Sequence, residues 1–337
     1  MKALVLKKPR YLTIEQCEIP EYKDKALIKI VSAGICGSDL SAYKGTSPLG
    51  VYPRILGHEA AGTIVNIPDN EYGLKVGDTV AIEPYRYCGQ CYPCSIGRTN
   101  CCENLSVLGV HQNGAFAEYL VHDIHLLHKV PENMTWEQIV MVEPLTISMH
   151  GVQRANIKEN KYVVVTGAGT IGILAALYIR YLKAIPILVD PIDSRLKIAK
   201  KLGIDYVINP TTCDANEAIK SITNGRMAEV IVEASGSEKA VRSIIDYAGY
   251  TARISLVGYP HEEVPLPTFT ITKKELVIKG SRNSAKLFPE AIELISKGHI
   301  NVDPIISAVI DFDQLPEYFE RIVNNPVNYL KVIASVN

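Results

Sequence analysis

The stretch from Tyr162 to Asp190 constrains the fold of this chain more than any other part of the sequence. It begins with Tyr162–Thr166, a run of apolar and β-branched residues that predicts a buried strand. The glycine-rich segment Gly167–Gly172 follows and opens a helix that continues through Lys183. A second apolar run, Ile187–Val189, then ends at Asp190. Strand, glycine-rich turn, helix, strand and terminal acid together predict a βαβ unit that binds a dinucleotide.

The residues of this segment have separate predicted roles. The first two glycines allow a tight turn and the close approach of a pyrophosphate, and the helix N-terminus offers amide groups to the phosphates. Asp190 is expected to accept hydrogen bonds from the adenine ribose and to repel a 2′-phosphate, which indicates NAD rather than NADP. The predicted cofactor-binding residues are Gly167, Gly169, Thr170, Ile171, Gly172, Asp190 and Arg195.

The alternation of strands and helices continues to Gly280. Helical segments at 193–202, 214–224 and 237–247 separate further apolar runs, which predicts six parallel strands in a doubly wound sheet. The predicted strands are Tyr162–Thr166, Ile187–Val189, Tyr206–Ile208, Glu229–Val232, Arg253–Val257 and Leu276–Ile278.

The sequence on either side of this region has a different pattern. Up to about residue 85, short alternating runs and turns rich in glycine and proline predict a compact all-β unit. Residues 136–155 predict a helical connection. After Gly280, helices near 286–297 and 313–324 and a strand at 329–335 are expected to return to the first unit. A length of 337 residues is consistent with two domains.

Composition excludes several functional classes. The 35 basic and 36 acidic residues nearly balance, so we expect no nucleic-acid or membrane-surface partner. No run reaches the roughly 20 apolar residues of a membrane span, and the apolar start is too short for a signal peptide. We therefore expect a cytoplasmic protein, in which clustered cysteines indicate metal binding rather than disulfides.

Four cysteines follow the β unit closely. Cys88, Cys91 and Cys94 recur every third residue, and Cys102 or Cys101 supplies the fourth sulfur. Four thiolates around zinc form a closed, structural site without room for substrate. We predict such a site with Cys88, Cys91, Cys94 and Cys102, in a lobe of about residues 86–104. A nucleic-acid zinc ribbon would need two separated pairs of cysteines, and only one cluster is present.

A second metal site is predicted from Cys36, His58, Glu59 and Glu143. Thiolate, imidazole and carboxylate are all zinc ligands, and a catalytic zinc keeps one position open for water or substrate. Cys36 and one carboxylate already neutralise the dication, and a second carboxylate would weaken its acidity. We therefore expect only one of Glu59 and Glu143 on the metal at a time, and the sequence leaves open which one.

His122, His125 and His128 also recur every third residue. No acid or cysteine in their pattern completes a ligand set. We interpret them as exposed strand or loop histidines rather than as metal ligands. The segment Gly114–Val121 before them predicts a strand.

These motifs together resemble the zinc-containing medium-chain alcohol dehydrogenase superfamily over essentially the whole chain. The matching segments, in family order, are Gly34–Asp39, Gly57–Glu59, the cysteine lobe, Glu143-Pro144 and Gly167–Gly172. The resemblance implies an α/β protein with a GroES-like β catalytic domain (1–147 and 281–337) and a Rossmann NAD-binding domain (148–280). It also implies two zinc ions per chain, NAD, and a homodimer or homotetramer.

Within the superfamily, the chain resembles sorbitol dehydrogenase and the L-galactonate or L-gulonate 5-dehydrogenases. Glu143 stands where simple alcohol dehydrogenases carry a second zinc-binding cysteine. The resemblance implies that Ser38 takes the substrate proton, although Ser41 replaces the usual histidine at the end of the relay. Arg282 is similar to an arginine that contacts the polyol in sorbitol dehydrogenases, and it could anchor a carboxylate through two hydrogen bonds. Tyr43 is a further candidate for the substrate pocket.

The expected function is therefore NAD-linked oxidation of a secondary hydroxyl of a sugar acid or polyol to a ketone. L-Threonine 3-dehydrogenase and simple alcohol dehydrogenase are the alternatives within the enzyme class, because the metal ligands do not separate them. A non-catalytic protein that binds NAD and zinc is the alternative outside it, since a fold does not fix a function.

Overall fold

A computed structural model describes residues 1–336 of the chain. They form two compact units. The first unit contains residues 1–143, 288–298 and the segment from Ile306 onward, and the second contains residues 144–287 and 299–305. The domain limits expected after residues 147 and 280 stay predictions.

The strands lie in both units. In chain order they are β1 (Lys2–Lys8), β2 (Tyr11–Gln16), β3 (Ala26–Gly34), β4 (Arg54–Ile55), β5 (Glu59–Asn66), β6 (Thr79–Ile82), β7 (Tyr85–Arg86), β8 (Ser106–Val107), β9 (Tyr119–His122), β10 (Leu127–Lys129), β11 (Tyr162–Thr166), β12 (Ile185–Val189), β13 (Tyr206–Ile208), β14 (Ala228–Glu233), β15 (Ala248–Leu256), β16 (Val277–Gly280), β17 (Ile306–Asp311) and β18 (Lys331–Ser335).

Helices follow the same order. They are α1 (Gly37–Lys44), α2 (Tyr92–Ser95), α3 (Trp136–Val140), α4 (Val142–Arg154), α5 (Thr170–Tyr181), α6 (Asp193–Lys201), α7 (Ala215–Ile222), α8 (Glu238–Tyr247), α9 (Thr268–Lys274), α10 (Phe288–Ser296) and α11 (Leu315–Asn324), with short 3₁₀ helices at Thr99–Cys101, Ile124–Leu126, Asp303–Ile305, Phe312–Gln314 and Pro326–Asn328. None of the helices between residues 1 and 336 combines the length and apolar character that crossing a membrane requires.

Strand β3 is at the centre of the main sheet of the first unit. It pairs antiparallel with β5, β9 and β18, and most of its residues are buried. The rest of this sheet is formed by β6 and β10 beyond β5, and by β17 beyond β18. The pairing of β18 with β3 makes the C-terminal strand part of this sheet.

The core of the first unit packs between these strands and α11. Phe116 and Phe319 are fully buried, and their rings meet edge to face with centroids 6.0 Å apart. Burying a large apolar side chain contributes about 1.5–3 kcal/mol, so such residues hold the sheet and helix together.

Helix α1 corrects the prediction that the chain is all-β up to about residue 85. Cys36 occupies the N-cap position, and the Asp39 carboxylate in the first turn accepts a hydrogen bond from the Cys36 amide at 2.9 Å. The helix is only eight residues long and mostly polar, so it has no apolar periodicity that sequence reading could detect.

Two further expectations need correction in the first unit. The strand predicted at Gly114–Val121 begins only at Tyr119, because the Gly114 and Ala115 amides bond to the carbonyls of Ile55 and Gly57 without forming a ladder. The helical connection predicted at 136–155 is divided at Met141 into α3 and α4.

The second unit confirms the predicted sheet of six parallel strands. Their order is β13-β12-β11-β14-β15-β16, so the strand order reverses direction beside β11. Strands β11 and β12 are mainly apolar, and β14 is apolar apart from Glu229 and Glu233, because helices cover both faces of a parallel sheet. Ligands of open parallel sheets bind at the carboxyl ends of strands where the order reverses, which here is the end of β11.

Candidate active site and metal centres

Cys36, His58 and Glu59 meet at the ends of β3 and β5. Cys36 lies two residues beyond β3, Glu59 begins β5, and the register pairs Gly34 with Glu59. One ligand atom from each of Cys36, His58 and Glu59 lies within 4.8 Å of the other two. Sulfur, imidazole nitrogen and carboxylate oxygen at this spacing fit a zinc ion.

Gly34 makes room for this cluster. A Cβ atom at position 34 would overlap Oε2 of Glu59 and would lie 2.9 Å from Cγ1 of Val140. Any larger residue would therefore displace the Glu59 carboxylate from its place beside Cys36.

The Asp39 carboxylate contacts residues of the cluster and of its flanking backbone. Its carboxylate accepts hydrogen bonds from the amides of Cys36 (2.9 Å) and Gly57 (3.3 Å), and lies 3.7 Å from Nδ1 of His58. Burial raises the pKa of Asp39. Burial also acts to lower the pKa of His58, but Asp39 and Cys36 outweigh it and hold that pKa well above its usual value. An acid on one imidazole nitrogen orients the ring for a metal on the other.

A buried lysine faces Glu59. Lys331 in β18 is only 3% exposed, and its ammonium pairs with the Glu59 carboxylate and donates to the Ile35 carbonyl at 3.2 Å. Burial acts to lower the pKa of Lys331, but Glu59 outweighs it and the pKa is raised. The sequence reading missed Lys331, although a charged residue opening an apolar terminal strand was a usable signal.

Tyr85 and Glu143 form a second buried pair. The Tyr85 hydroxyl in β7 donates a hydrogen bond to Oε1 of Glu143, in the first turn of α4. Both residues are 4% exposed. Burial raises the pKa of Glu143 to about 7, His58 acts to lower it and Glu59 to raise it. No sequence pattern pointed to Tyr85.

Ser38 and Tyr43, both in α1, have different surroundings. Ser38 is exposed, and its Oγ lies 3.4 Å from Nε2 of His58. Tyr43 is buried, packs edge to face against Phe319 and donates a hydrogen bond to Glu320 at 2.5 Å. Ser38 therefore lies next to a proposed metal ligand. Tyr43 has a packing role, and its contact with a substrate stays a prediction.

The four-cysteine cluster lies in the lobe after β7. The Sγ atoms of Cys91 and Cys94 are 3.4 Å apart, those of Cys91 and Cys102 3.8 Å, and those of Cys102 and Cys88 3.5 Å. A zinc–sulfur bond of about 2.3 Å in a tetrahedron requires sulfurs roughly 3.8 Å apart, so the set fits zinc. Backbone hydrogen bonds from Gln90 and Cys91 lower the pKa of Cys88 to about 6, which favours the thiolate.

Cys102, rather than its neighbour Cys101, completes this cluster. The Cys102 sulfur accepts hydrogen bonds from the amides of Cys88 and Asn104, both at 3.3 Å. Cys101 instead contacts the Arg98 guanidinium at 4.0 Å. The 3₁₀ turn Thr99–Cys101 directs successive side chains apart, which sequence spacing alone could not resolve.

The three spaced histidines have other partners. His122 is fully buried, which corrects the expectation that it is exposed, because its Nε2 bonds to the Glu83 carbonyl at 2.8 Å. His128 bonds to the Glu83 carboxylate at 2.7 Å, and His125 packs against the Tyr87 ring. Burial lowers the pKa of His122 to about 4.

The glycine-rich turn of the second unit lies between β11 and α5. A Cβ atom at Gly172 would overlap the carbonyl oxygen of Gly167, so the turn requires glycine there. Gly169 is the N-cap of α5 and has open space beside it, and Thr170 and Ile171 form the first turn. This open helix N-terminus fits a pyrophosphate.

Asp190 follows β12 and is 4% exposed. Its carboxylate accepts hydrogen bonds from the Ala168 amide (2.6 Å) in the glycine-rich turn and from the Ile192 amide (2.8 Å). Arg195 lies in α6, one turn further on, and Arg282 is exposed just after β16. Asp190 is thus fixed against the turn, and cofactor or substrate contacts of the two arginines stay predictions.

Glu233 ends β14 and is fully buried, and the sequence reading missed it. It accepts hydrogen bonds from the Ser235 amide (2.9 Å) and hydroxyl (2.5 Å) and from the Gly236 amide (3.1 Å). Thr166 Oγ1 lies 3.4 Å away. An acid closing an apolar strand and followed by Ser-Gly was the available signal. Glu233 connects the loop after β14 to the end of β11.

Fold and site together define a zinc- and NAD-dependent dehydrogenase. Residues 22–132 match the alcohol dehydrogenase GroES-like domain, and residues 170–297 match the zinc-binding dehydrogenase domain. The chain belongs to the zinc-binding alcohol dehydrogenase family. This confirms the family resemblance and the fold class that the sequence predicts.

Three relatives illustrate the range of the family. An uncharacterized zinc-type alcohol dehydrogenase-like protein of Haemophilus influenzae is 47% identical, over 99% of this chain and 98% of its own. L-Galactonate-5-dehydrogenase of Escherichia coli is 35% identical over 96% of each chain. L-Threonine 3-dehydrogenase of Pyrococcus horikoshii is 34% identical, over 95% of this chain and 94% of its own.

A solved structure also matches along the whole chain. It is a short chain alcohol dehydrogenase (rspB) of E. coli CFT073 complexed with NADH, with a TM-score of 0.93 and 34% identity. The match covers 100% of this chain and 99% of that one.

Proposed function

We propose that this protein oxidises a secondary hydroxyl of a sugar acid of the L-galactonate or L-gulonate type, or of a related polyol, to a ketone with NAD. The observation that carries the reaction is the cluster of Cys36, His58 and Glu59, in which His58 and Glu59 are buried and Cys36 is partly buried. The choice of substrate is supported by the whole-length similarity to an L-galactonate-5-dehydrogenase.

Lys331 sets the charge of the proposed catalytic centre. Its ammonium offsets Glu59, so the Cys36 thiolate remains the main negative charge on the metal. Bound zinc supplies a Lewis acid that lowers the pKa of the substrate hydroxyl, and bound NAD accepts the hydride. A centre that keeps net positive charge performs this task better than a neutral one.

Ser38 receives the substrate proton in this proposal. Its hydroxyl lies beside His58 and is exposed, so the proton can pass from Ser38 directly to water. This route needs no histidine to accept the proton. It is therefore consistent with Ser41, which stands where the proton relay of the family usually ends in histidine. Replacing Ser38 with alanine is expected to lower kcat by about 100-fold while zinc content stays constant.

The test is the initial rate of NAD reduction by zinc-loaded protein. The panel contains L-galactonate, L-gulonate, other hexonates, sorbitol, xylitol, L-threonine and ethanol. We expect turnover of hexonates, with Arg282→Ala raising KM for the acids more than for neutral polyols. Exclusive turnover of neutral polyols would refute a sugar acid as the substrate, favour the related polyol, and leave the zinc and NAD assignments intact.

L-Threonine is the second candidate substrate, because a threonine dehydrogenase is 34% identical over 95% of this chain. The same panel separates the two candidates. Turnover of L-threonine with inert hexonates would establish the second candidate and exclude the first.

We also propose a cytoplasmic homodimer or homotetramer. The metal-type cysteine spacing supports a reducing compartment, and no disulfide joins cysteines in residues 1–336. Light scattering after size exclusion measures the subunit number, and a monomer at micromolar concentration would refute the oligomer. Recovery of the protein outside the cytoplasm on cell fractionation would refute the location.

A further inference from the structure

Tyr85 and Glu143 come together from separate parts of the first unit. Tyr85 is fixed in β7, whose pairing with β8 places Tyr85 opposite Val107. Glu143 is fixed in the first turn of α4. Both side chains are withdrawn from solvent, and the hydroxyl of one donates to the carboxylate of the other.

This pair lies within electrostatic reach of the metal ligands. Glu143 interacts with His58 and Glu59, and Tyr85 with Cys36. The donor set that is already gathered, however, consists of Cys36, His58 and Glu59. Glu143 is thus a carboxylate near the proposed zinc that has a hydrogen-bond donor of its own.

We infer that Tyr85 is a positioning residue that holds Glu143 outside the coordination of the catalytic metal. A neutral hydroxyl fixes the carboxylate without cancelling its charge, unlike the ammonium that faces Glu59. Glu143 would then act on the substrate or on water beside it, and not as a ligand of the metal. This inference rests on the proposed zinc chemistry and does not depend on which alcohol is oxidised.

The inference predicts an unusual result for Tyr85→Phe. Without the hydroxyl, Glu143 loses one of the hydrogen bonds that hold it, and we expect it to bind the metal as an additional carboxylate. Removing an ordinary outer support weakens metal binding, whereas here the metal is expected to leave more slowly. The added negative charge should at the same time lower kcat by about 10- to 100-fold.

The experiment uses full-length protein in which Co²⁺ replaces the catalytic zinc, because zinc itself has no visible spectrum. The Co²⁺ absorption bands and the rate of metal loss to a chelator are measured for wild type and Tyr85→Phe. Tyr87→Phe is the matched control, since Tyr87 lies in the same segment and packs against His125. We expect a changed spectrum and slower loss in Tyr85→Phe alone.

Glu143→Gln keeps the test decisive even if Tyr85→Phe folds poorly. We expect Glu143→Gln to leave the Co²⁺ spectrum and the release rate as in wild type, because Glu143 is not a ligand. The double variant Tyr85→Phe/Glu143→Gln should also have the wild-type release rate.

Three outcomes would overturn the inference. They are faster metal loss from Tyr85→Phe, an unchanged spectrum in that variant, and faster loss from Glu143→Gln. None of these readouts requires turnover, so failure of the sugar-acid panel leaves them interpretable.

Discussion

Two buried carboxylates, Glu233 in the second unit and Glu59 in the first, have partners that differ in charge. Glu233 in the second unit accepts hydrogen bonds from neutral amides and a hydroxyl. Glu59 in the first unit faces the Lys331 ammonium. Neutral donors leave a carboxylate with its full charge and fix the loops that supply them, whereas a cation removes the charge. Neutral donors suit a rigid loop beside the cofactor, and a cationic partner suits a site that must also bind a dication.

Lys331→Met is expected to have the largest effect on stability. Removing one partner of a buried ion pair leaves an uncompensated charge, which costs about 3–5 kcal/mol of the free energy of unfolding. Added zinc should restore part of the loss, because it replaces the missing positive charge beside Glu59. Urea unfolding followed by Trp136, the single tryptophan, reports on the first unit.

Lys297→Met is the control for that variant, since Lys297 pairs with Glu293 on the surface, where both side chains are more than half exposed. It should change the unfolding midpoint far less. Equal losses in Lys331→Met with and without zinc would show that the pair does not balance the metal charge.

His122 makes the stability of the first unit depend on pH. Its pKa falls from 6.5 to about 4 in the folded chain, so below about pH 6.5 the unfolded chain binds the proton first. The stability from neutral His122 is therefore complete above pH 6.5 and declines to about pH 4, by about 3 kcal/mol in total.

The measurement is the urea midpoint from Trp136 fluorescence between pH 7.5 and 4.5, for wild type and His122→Gln. The glutamine variant lacks the titrating group and should have a shallower decline over that range. Parallel declines in the two proteins would assign the pH dependence to other groups.

Glu233→Gln tests the other side of the comparison. The amide loses the charge-assisted hydrogen bonds and places its own N–H groups among donors, at a cost of about 2 kcal/mol. Because Glu233 fixes the loop beside Thr166 and the glycine-rich turn, we expect weaker NADH binding with unchanged zinc content. NADH fluorescence titration measures this, and Glu229→Gln in the same strand, where Glu229 pairs with Lys161, is the control. An unchanged Kd would mean that the loop is fixed by its packing alone.

Asp190→Asn has the smallest expected effect. The variant keeps the size of the side chain and loses the charge that repels a 2′-phosphate. The preference for NAD over NADP in kcat/KM should fall by about tenfold, or about 1.4 kcal/mol. An undiminished preference for NAD in this variant would assign the discrimination to residues other than Asp190.

Local patterns made much of this fold and site predictable. The six parallel strands follow from apolar runs of strand length, and the glycine-rich turn from its place between β11 and α5. Cys36, His58 and Glu59 were recognisable because they lie in short motifs made of residue types that bind zinc. The sequence favoured Cys102 as the fourth ligand of the cysteine cluster and left Cys101 as its rival, since the choice depends on how a 3₁₀ turn directs adjacent side chains.

The pairing of Tyr85 with Glu143 and that of Lys331 with Glu59 could not be predicted from the sequence, for a different reason. Tyr85 is 58 residues from Glu143 and Lys331 is 272 residues from Glu59. Nothing in a single sequence links positions so far apart, and a tyrosine or a lysine alone has many roles. Helix α1 was missed because its order comes from a cap and from packing rather than from periodicity.

The distance between Glu59 and Lys331 along the chain has a consequence for synthesis. At about 5–20 residues per second, a ribosome adds the lysine roughly 15–55 s after the glutamate. During that interval β3 lacks its neighbour β18, and the acid lacks its cation, while residues 144–287 have already been made. The open edge of β3 in the nascent first unit therefore needs protection until β18 is made. Slow translation of the last helix would lengthen the time for which this edge is exposed to chaperones and proteases.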